Sequence, residues 1–187
     1  MFGFVFATFI ALFIAVAGLC FYFAAKRRKA LMAWAASRGL TFSPAKDRQM
    51  DRRFGGFECL RLGRSRYARN IMEGEWSGRQ MTAFDYSYVT GSGKNSTRHV
   101  FSAVILASNI PLKPLFIRPE NFLDKITAFV GLDDIDFESA EFSRRFYVKA
   151  DDKRWAYDVI HARTMEFLLD VPGMKFSIEF SGHLVMA

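Results

Sequence analysis

The chain has 187 residues, of which 51% are hydrophobic and 16% aromatic, and its formal net charge at pH 7 is +7. This length suits one domain of ordinary size, and the apolar content excludes disordered, collagen-like and low-complexity chains. The chain has only two cysteines, which excludes a disulfide-framework protein.

The amino-terminal segment predicts a transmembrane helix over residues 1–25. It has no charged side chain and is followed directly by the basic cluster Lys26, Arg27, Arg28 and Lys29. A hydrocarbon core about 30 Å thick requires about 20 helical residues. A cleaved signal peptide is disfavoured because its basic residues would precede the apolar run.

The position of the basic cluster predicts the orientation of the chain. The positive-inside rule keeps such a cluster in the cytoplasm. We therefore expect a single-pass protein of the inner (plasma) membrane, with its amino terminus outside and residues 26–187 cytoplasmic. The cluster itself has two interpretations, which are contact with anionic headgroups at the membrane surface or a topogenic signal alone.

Small residues recur at every fourth position of the predicted span, at Gly3, Ala7, Ala11 and Ala15. This spacing lets two helices approach closely, and it predicts a helix–helix contact that would support a homodimer. The alternative is a chance pattern in a span rich in alanine.

After the span, residues 26–39 are predicted to form a basic juxtamembrane helix that ends at Gly39. Residues 40–187 are predicted to form a single cytosolic domain. The charge along this part is uneven, because residues 26–79 carry a net charge of +9 and residues 80–187 a net charge of −2. The excess of basic residues near the bilayer predicts lipid contact as one alternative for the domain.

The domain is predicted to be α+β, with a mostly antiparallel sheet covered by two or three helices. Residues 57–108 alternate as strands joined by polar turns, and the clearest strand covers residues 80–89. Its aromatic residues fall on one face. Further along, residues 142–148 predict a strand, and a long helix is predicted from Asp151 or Asp152 to about Leu169.

Four stretches carry a resemblance to known proteins: residues 84–88, 91–94, 115–120 and 134–146. They resemble a group of uncharacterised prokaryotic proteins that have one amino-terminal span and a cytosolic α+β domain. The resemblance covers roughly residues 30–170. It implies no activity, and it assigns no catalytic, cofactor-binding or metal-binding residue.

Two polar stretches invite a ligand-binding interpretation. The loop Gly91-Ser92-Gly93-Lys94 lacks the spacing of a phosphate-binding P-loop, so a hairpin connector is expected. An acidic run suggests a site for a hard cation or, alternatively, an exposed edge. The run consists of Asp133, Asp134, Asp136, Glu138 and Glu141.

Isolated reactive side chains give weaker signals. Cys59 is expected to be a small core residue. Asp85 stands between aromatic residues, so it is either a buried acid with a raised pKa or a residue that points to solvent. The three histidines, including His99, are dispersed, which disfavours a zinc site. The basic composition permits nucleic-acid binding, but no nucleic-acid module is present, so no such partner is expected.

These observations favour a non-catalytic protein-interaction or scaffold module on the cytoplasmic face of the membrane. The expected partners are the lipid bilayer and an unidentified membrane or cytosolic protein, and no cofactor is expected. One alternative is a module that binds anionic lipid at the membrane surface. Another is an enzyme acting on a membrane-associated substrate through Asp85, His99 or the acidic run.

Overall fold

The computed structural model describes residues 2–120 and 135–187, except for the side chains of residues 2–5 and 7–9. Its first element is α1 (Phe2–Ala36), a helix of 35 residues. At 1.5 Å per residue it is about 52 Å long, which exceeds the hydrocarbon thickness of a bilayer. Its stretch Ile10–Ala36 is long and apolar enough to cross a membrane, and its apolar part is not buried. The predicted amino-terminal apolar helix is therefore confirmed.

A single antiparallel sheet follows α1. In the described residues it has six strands: β1 (Thr41–Ser43), β2 (Arg64–Trp76), β3 (Arg79–Thr90), β4 (Thr97–Pro119), β5 (Phe146–Ala150) and β6 (Ile178–Met186). The strands are hydrogen-bonded in the order β1-β2-β3-β4-β5, and β6 pairs with β4. With its short helices, this sheet confirms the predicted α+β class.

Two hairpins define the two ends of the sheet. At one end, called the turn end here, Ser77 and Gly78 join β2 to β3 with φ angles of 50° and 76°. Two successive positive φ angles are typical of a type I′ turn, whose twist suits a tight hairpin. At the other end, the hairpin end, residues 91–96 join β3 to β4. The Gly-Ser-Gly-Lys loop is thus the expected connector.

Strand β4 pairs with three other strands and connects the two parts of the domain. It has 23 residues, and its register with β6 shifts between Ala107 and Leu115. Its first half pairs with β3, whereas its second half lies between β5 and β6. Because β4 runs away from the hairpin end, its second half carries a separate part of the domain, called the distal lobe.

The distal lobe contains β5 and three short helices, α3 (Ala140–Arg145), α4 (Lys153–Val159) and α5 (Ala162–Asp170). These elements pack around Leu115 and Ile117 of β4, which are each 2% exposed. The proximal half of the sheet has cores on both faces. One face is covered by α2 (Met50–Arg53) and the 3-10 helix Glu58–Arg61, and the other by the end of α1.

The aromatic face of β3 is confirmed, because Phe84, Tyr86 and Tyr88 are all buried in the core beside α2. Burial of such large apolar surfaces stabilises this half of the sheet, at roughly 25 cal/mol per Å². The prediction that strands begin at residue 57 is wrong in part, since Glu58–Arg61 forms a 3-10 helix.

Two predictions in the distal lobe are also wrong. Residues 142–145 are helical, because Ser139 caps α3 through a hydrogen bond from the Phe142 backbone N–H. The helical spacing then stacks Phe142 on Phe146, with ring centroids 4.9 Å apart. The predicted long helix is divided into α4 and α5, because the chain turns at Ile160 and buries that side chain.

Candidate functional site

The most connected polar group of the described chain is the carboxylate of Asp85. Asp85 lies in β3 on the face opposite Tyr86, and it is 5% exposed. Its Oδ2 accepts a hydrogen bond from Asn70 Nδ2 at 2.8 Å. Its Oδ1 accepts a second bond from Ser102 Oγ at 2.7 Å. Strands β2 and β4 therefore hold this carboxylate from both sides.

The third partner of Asp85 comes from the anchor helix. Arg27 donates from Nη1 to Oδ2 at 2.5 Å and from Nη2 to Oδ1 at 2.8 Å. This is the bidentate geometry in which a guanidinium and a carboxylate bind most strongly. The four residues Arg27, Asn70, Asp85 and Ser102 are called the Asp85 cluster below. The cluster joins α1 to three strands of the sheet.

Asn70 reaches Asp85 because β2 is irregular at this point. The register between β2 and β3 shifts between Arg69 and Met72, and Asn70 has a φ of 51°. Asparagine tolerates this left-handed conformation better than most residues with a side chain. The irregularity therefore places a buried amide on the face that carries Asp85.

The electrostatic balance at Asp85 favours the charged form. Burial opposes ionisation, but hydrogen bonds from Arg27, Asn70 and Ser102 outweigh it and lower the pKa of the carboxyl to about 2. The expectation of a raised pKa or a solvent-facing side chain is therefore wrong. A fixed carboxylate with these partners is suited to holding α1 in place.

A second contact between α1 and the sheet lies at the turn end. The indole rings of Trp34 and Trp76 stack with centroids 5.7 Å apart and an interplanar angle of 26°. The Arg38 guanidinium lies 4.6 Å from the Trp34 ring and 5.1 Å from the Trp76 ring. Such cation–π contacts are favourable. Beneath them Ala35 is fully buried against Met72, Met81 and Ala83.

Together these contacts define the direction of α1 across the sheet. The helix contacts Trp76 near its carboxyl end, and it contacts Asp85 about two turns earlier. Towards its amino terminus, α1 therefore runs from the turn end to the hairpin end. From Ile10 to Ala30 it is exposed, so the sheet diverges from the helix beyond Arg27. The hairpin end of the sheet faces the side from which the apolar segment extends.

Among the described residues, the first half of β4 has an edge with no paired strand. In the described residues, β6 joins β4 only from Val104 onward, through the backbone hydrogen bonds between Val104 and Ala187. Backbone groups alternate between the two neighbours of an antiparallel strand. The N–H and C=O groups of Arg98 and Val100 therefore point away from β3. The outer side of residues 97–103 is called the β4 edge.

A buried acid lies where the proximal sheet meets the distal lobe. Glu179 in β6 is 7% exposed and accepts a hydrogen bond from the Glu58 backbone N–H at 3.3 Å. Burial raises the pKa of its carboxyl to about 7. It lines a cavity of about 220 Å³ together with Arg61 and Lys149. Neither the sequence pattern nor the resemblance indicated this residue.

The other reactive candidates are dispersed. Cys59 is 2% exposed in the proximal core, as expected, and burial raises the pKa of its thiol. His99 stacks on Tyr88, with ring centroids 4.7 Å apart. Among the described residues, no three His, Cys, Asp or Glu side chains are grouped to hold a metal ion.

Within the acidic run, the apolar residues Ile135 and Phe137 are buried. Asp136 is exposed, but its backbone C=O accepts a hydrogen bond from the Tyr157 hydroxyl at 3.1 Å. Asp133 and Asp134 lie outside the described residues.

The four predicted membrane-surface residues separate into two groups. Lys26, Arg28 and Lys29 are exposed on α1, whereas Arg27 is bonded to Asp85. Of the small residues predicted to form a helix–helix contact, Ala11 and Ala15 are exposed, and the side-chain environments of Gly3 and Ala7 are outside the described set. The homodimer through the span stays a prediction.

The sequence carried one signal that could have identified the Asp85 cluster. Asp85 is the only acid in β3, where it stands between aromatic residues, and a buried carboxylate requires a cation or several donors. Which cation Asp85 binds depends on how α1 crosses the sheet. Because 58 residues separate Arg27 from Asp85, no local sequence pattern indicates this pairing.

Comparison with known proteins gives a similarity in fold. No family model matches the chain, and no curated protein matches it. Among solved structures, the chain is similar to the crystal structure of the mycobacterial trehalose monomycolate transport factor A, TtfA, with a TM-score of 0.60 and 15% identity. The match covers 85% of this chain and 79% of that chain. At this level of identity the similarity concerns the fold alone.

Proposed function

We propose that the protein is a non-catalytic, membrane-anchored interaction module on the cytoplasmic face of the inner membrane. Its function is to hold the β4 edge beside the bilayer, where an extended segment of another protein adds to the sheet. The observation that supports this proposal most directly is the β4 edge, which is unpaired among the described residues and belongs to a domain that is bonded to the apolar helix α1.

The anchor supports the proposal through its exposure. Large apolar side chains along α1 are open to solvent in the isolated chain, among them Phe13, which is 75% exposed, and Phe21, which is 82% exposed. Exposure of this extent requires an apolar environment such as lipid. The basic residues that follow the span favour the cytoplasmic side for the domain.

The Asp85 cluster supports a fixed presentation of the domain. A flexible tether would let the sheet rotate freely relative to the membrane. Here Arg27 and the Trp34–Trp76 stack attach the helix at two points along its axis. Two attachment points restrict both tilt and rotation, so the β4 edge has a defined position at the bilayer.

The β4 edge supports a protein partner. Unpaired N–H and C=O groups on a strand edge bind an extended peptide through backbone hydrogen bonds. The side chains near the edge favour an apolar and acidic peptide, because Val100 is 58% exposed and Lys94 is an exposed cation in the loop that leads into β4. The Arg98 guanidinium is directed away from the edge, since it donates to Ser87 and Tyr67 on the neighbouring strands. An acidic residue flanking an apolar one would complement this surface.

A second copy of the chain is a poor occupant of this edge. Antiparallel pairing of two β4 edges would place a two-fold axis perpendicular to the sheet. Since α1 runs along the strands, that axis would point the two anchors in opposite directions. Both anchors could not then enter one membrane from the same side, so the partner is a different protein.

The fold comparison is compatible with this proposal. The similar solved structure belongs to a protein whose name describes it as a transport factor. We extend this role to the present chain only as part of the proposal.

The test uses proline at the β4 edge. The backbone N–H of Val100 points outward, so Val100→Pro removes an edge donor without removing a hydrogen bond to β3. Val100→Thr keeps the N–H and is the matched control. A photo-crosslinker is incorporated at His99 in full-length protein in cells, in the wild type and in both variants.

We expect the crosslinker at position 99 to capture one partner protein in the wild type and in Val100→Thr. The crosslinked product should be absent in Val100→Pro. Thermal unfolding of the purified variants checks that the fold is retained. A crosslinked protein that persists equally in a folded Val100→Pro variant would overturn the proposed edge interaction.

A further inference from the structure

The position of α1 determines which charges of the domain approach the membrane. The apolar segment extends from the hairpin end, so residues at that end lie nearest the bilayer surface. The strands carry different charges at their two ends. This difference is visible in β2 alone, which has Arg64, Arg66 and Arg69 towards the hairpin end and Glu73 and Glu75 towards the turn end.

At the hairpin end, five exposed cations lie on β2, on β4, in the connecting loop and before α2. They are called the basic rim: Lys46, Arg64, Arg69, Lys94 and Arg98. The register places Arg69 opposite Asp85 and Arg98 opposite Val89, on the face of the sheet that carries α1. The Lys46 ammonium lies 4.8 Å from the Tyr67 ring on this face.

The acidic side chains near the rim are already bonded. Asp85 binds Arg27, and Asp51 accepts a hydrogen bond from Arg66 Nε at 2.8 Å. Asp47 Oδ1 accepts the Gln49 backbone N–H at 2.7 Å. These carboxylates leave the rim with a net positive charge.

The turn end has a different balance. Glu73 is paired with Arg53 at 2.6 Å, Glu75 lies opposite Gln80, and Arg79 lies opposite Trp76. With Arg38 on the Trp34–Trp76 stack, three basic residues stand against two acidic ones at this end, so its excess of positive charge is smaller than that of the basic rim. The positive field of the proximal sheet is directed towards the hairpin end, where the anchor enters the membrane.

We propose that the basic rim binds the anionic headgroups of the leaflet that holds the anchor. Lipid phosphates can pair with cations that are spread over one surface of the protein. Each Lys or Arg near an anionic leaflet makes the free energy of membrane binding more favourable. The Asp85 cluster holds the sheet in the orientation that brings the rim to the headgroups. Arg27 thus acts indirectly, as a positioning residue, while the sheet supplies the lipid contact.

The test measures access of solvent to the hairpin in full-length protein in lipid nanodiscs. Ser92 is exposed at the tip of the hairpin, and a fluorophore is attached through Ser92→Cys in a Cys20→Ala background. Cys59 is buried and stays unlabelled. Quenching by neutral acrylamide is compared in discs of phosphatidylcholine and in discs of equal parts phosphatidylcholine and phosphatidylglycerol.

We expect the quenching constant to fall roughly twofold or more in the anionic discs at low salt, and to recover at high salt because ions screen the rim. The double substitution Arg69→Gln/Lys94→Gln is expected to abolish the fall. The matched control is Arg163→Gln/Lys175→Gln, which removes two exposed cations from the distal half of the chain and is expected to retain it.

Equal quenching of the wild type in neutral and anionic discs would overturn the proposal. A rim variant that keeps the protection from quenching would also overturn it. A control variant that loses the protection to the same extent would do so too, since the effect would then follow net charge alone. The circular dichroism spectrum of each variant establishes that its fold is retained.

Discussion

At Asp85 a buried charge is balanced by four hydrogen bonds from three elements, namely α1, β2 and β4. Removal of a carboxylate from water costs several kcal/mol unless it is paired and hydrogen-bonded. The residues that supply the bonds also fix the relative positions of their elements. The cluster therefore contributes more to the orientation of α1 than to the net stability of the fold.

A double-mutant cycle measures the coupling between Arg27 and Asp85. We expect Arg27→Gln and Asp85→Asn each to lower the unfolding midpoint of the full-length protein in detergent. The coupling energy should be about 1 kcal/mol, since Arg27 is 52% exposed and solvent screens the pair. Strict additivity of the two substitutions would show that the pair does not interact.

The same pair predicts a dependence on pH. The pKa of Asp85 is lowered to about 2 in the folded protein, below its value in an unfolded chain of about 4. Its contribution to stability is fully present above about pH 4 and is lost as the pH falls towards about 2. The Asp85→Asn variant should show a smaller loss of stability over this range.

Glu179 predicts the opposite dependence in a different range. Burial raises the pKa of its carboxyl to about 7, so the folded state binds a proton that the unfolded state releases between about pH 4.5 and pH 7. Stability should therefore fall as the pH rises through this range. In thermal unfolding measured at about pH 5 and about pH 8, Glu179→Gln should reduce the difference between the two midpoints. An undiminished difference in the variant would assign the effect to another group.

At the scale of single residues, the sequence predicted core positions better than polar partners. Cys59 and the aromatic face of β3 follow from apolar character and alternation. Asp85 does not, because its pKa depends on donors that lie 15, 17 and 58 residues away. Glu179 is missed for the same reason, since its burial arises where β6 meets the segment around Glu58.

At the scale of elements, the contact between α1 and the sheet depends on a small residue. Ala35 is fully buried between the helix and the side chains of Met72, Met81 and Ala83. A larger side chain would force the helix away from the sheet. This close approach is what lets the Trp34–Trp76 stack and the Arg27–Asp85 bond form together.

The substitution Ala35→Leu tests this packing. We expect it to destabilise the protein by about 1–3 kcal/mol, because overpacking a tight core displaces its neighbours. Ala36→Leu adds the same side chain one residue later, where α1 is exposed, and should change stability little. Equal unfolding midpoints of the two variants would contradict a close contact at Ala35.

The elements that were predicted well have local signals. The two hairpins carry Gly-containing turns between alternating strands, and β3 alternates over its whole length. The wrong predictions lack such signals. No Gly or Pro marks the break at Ile160, and residues 142–145 are helical because of a cap at Ser139 and an aromatic stack between Phe142 and Phe146. In both places packing in the distal lobe overrides the local pattern.

At the scale of the whole molecule, three parts follow one another along the chain: the apolar helix, the proximal sheet and the distal lobe. The span comes first, the proximal sheet lies beside its carboxyl end, and β4 leads away to the distal lobe. The sequence predicted the span and the α+β class. It did not predict the direction of the sheet relative to the span, because that direction is defined by contacts between distant residues.

The proposed orientation predicts the labelling of an exposed residue in the distal lobe. Glu166 is exposed in α5, and Glu166→Cys is introduced into the Cys20→Ala background. A membrane-impermeant maleimide should leave it unmodified in intact cells and modify it after lysis. Labelling in intact cells at the level seen after lysis would place the domain outside and reverse the proposed topology.

If the Asp85 cluster and the Trp34–Trp76 stack fix α1 on the sheet, the two form one rigid unit, and a distance between them measures this rigidity. Spin labels are attached at Leu19→Cys in α1 and at Ser92→Cys in the hairpin, in a Cys20→Ala background. Double electron–electron resonance in nanodiscs then measures the distance between the two labels, which changes when the helix rotates relative to the sheet. We predict a single narrow distance distribution, which should broaden in Asp85→Asn. A broad distribution in the protein with Asp85 intact would show that the domain rotates freely on its anchor, and it would contradict a rigid unit.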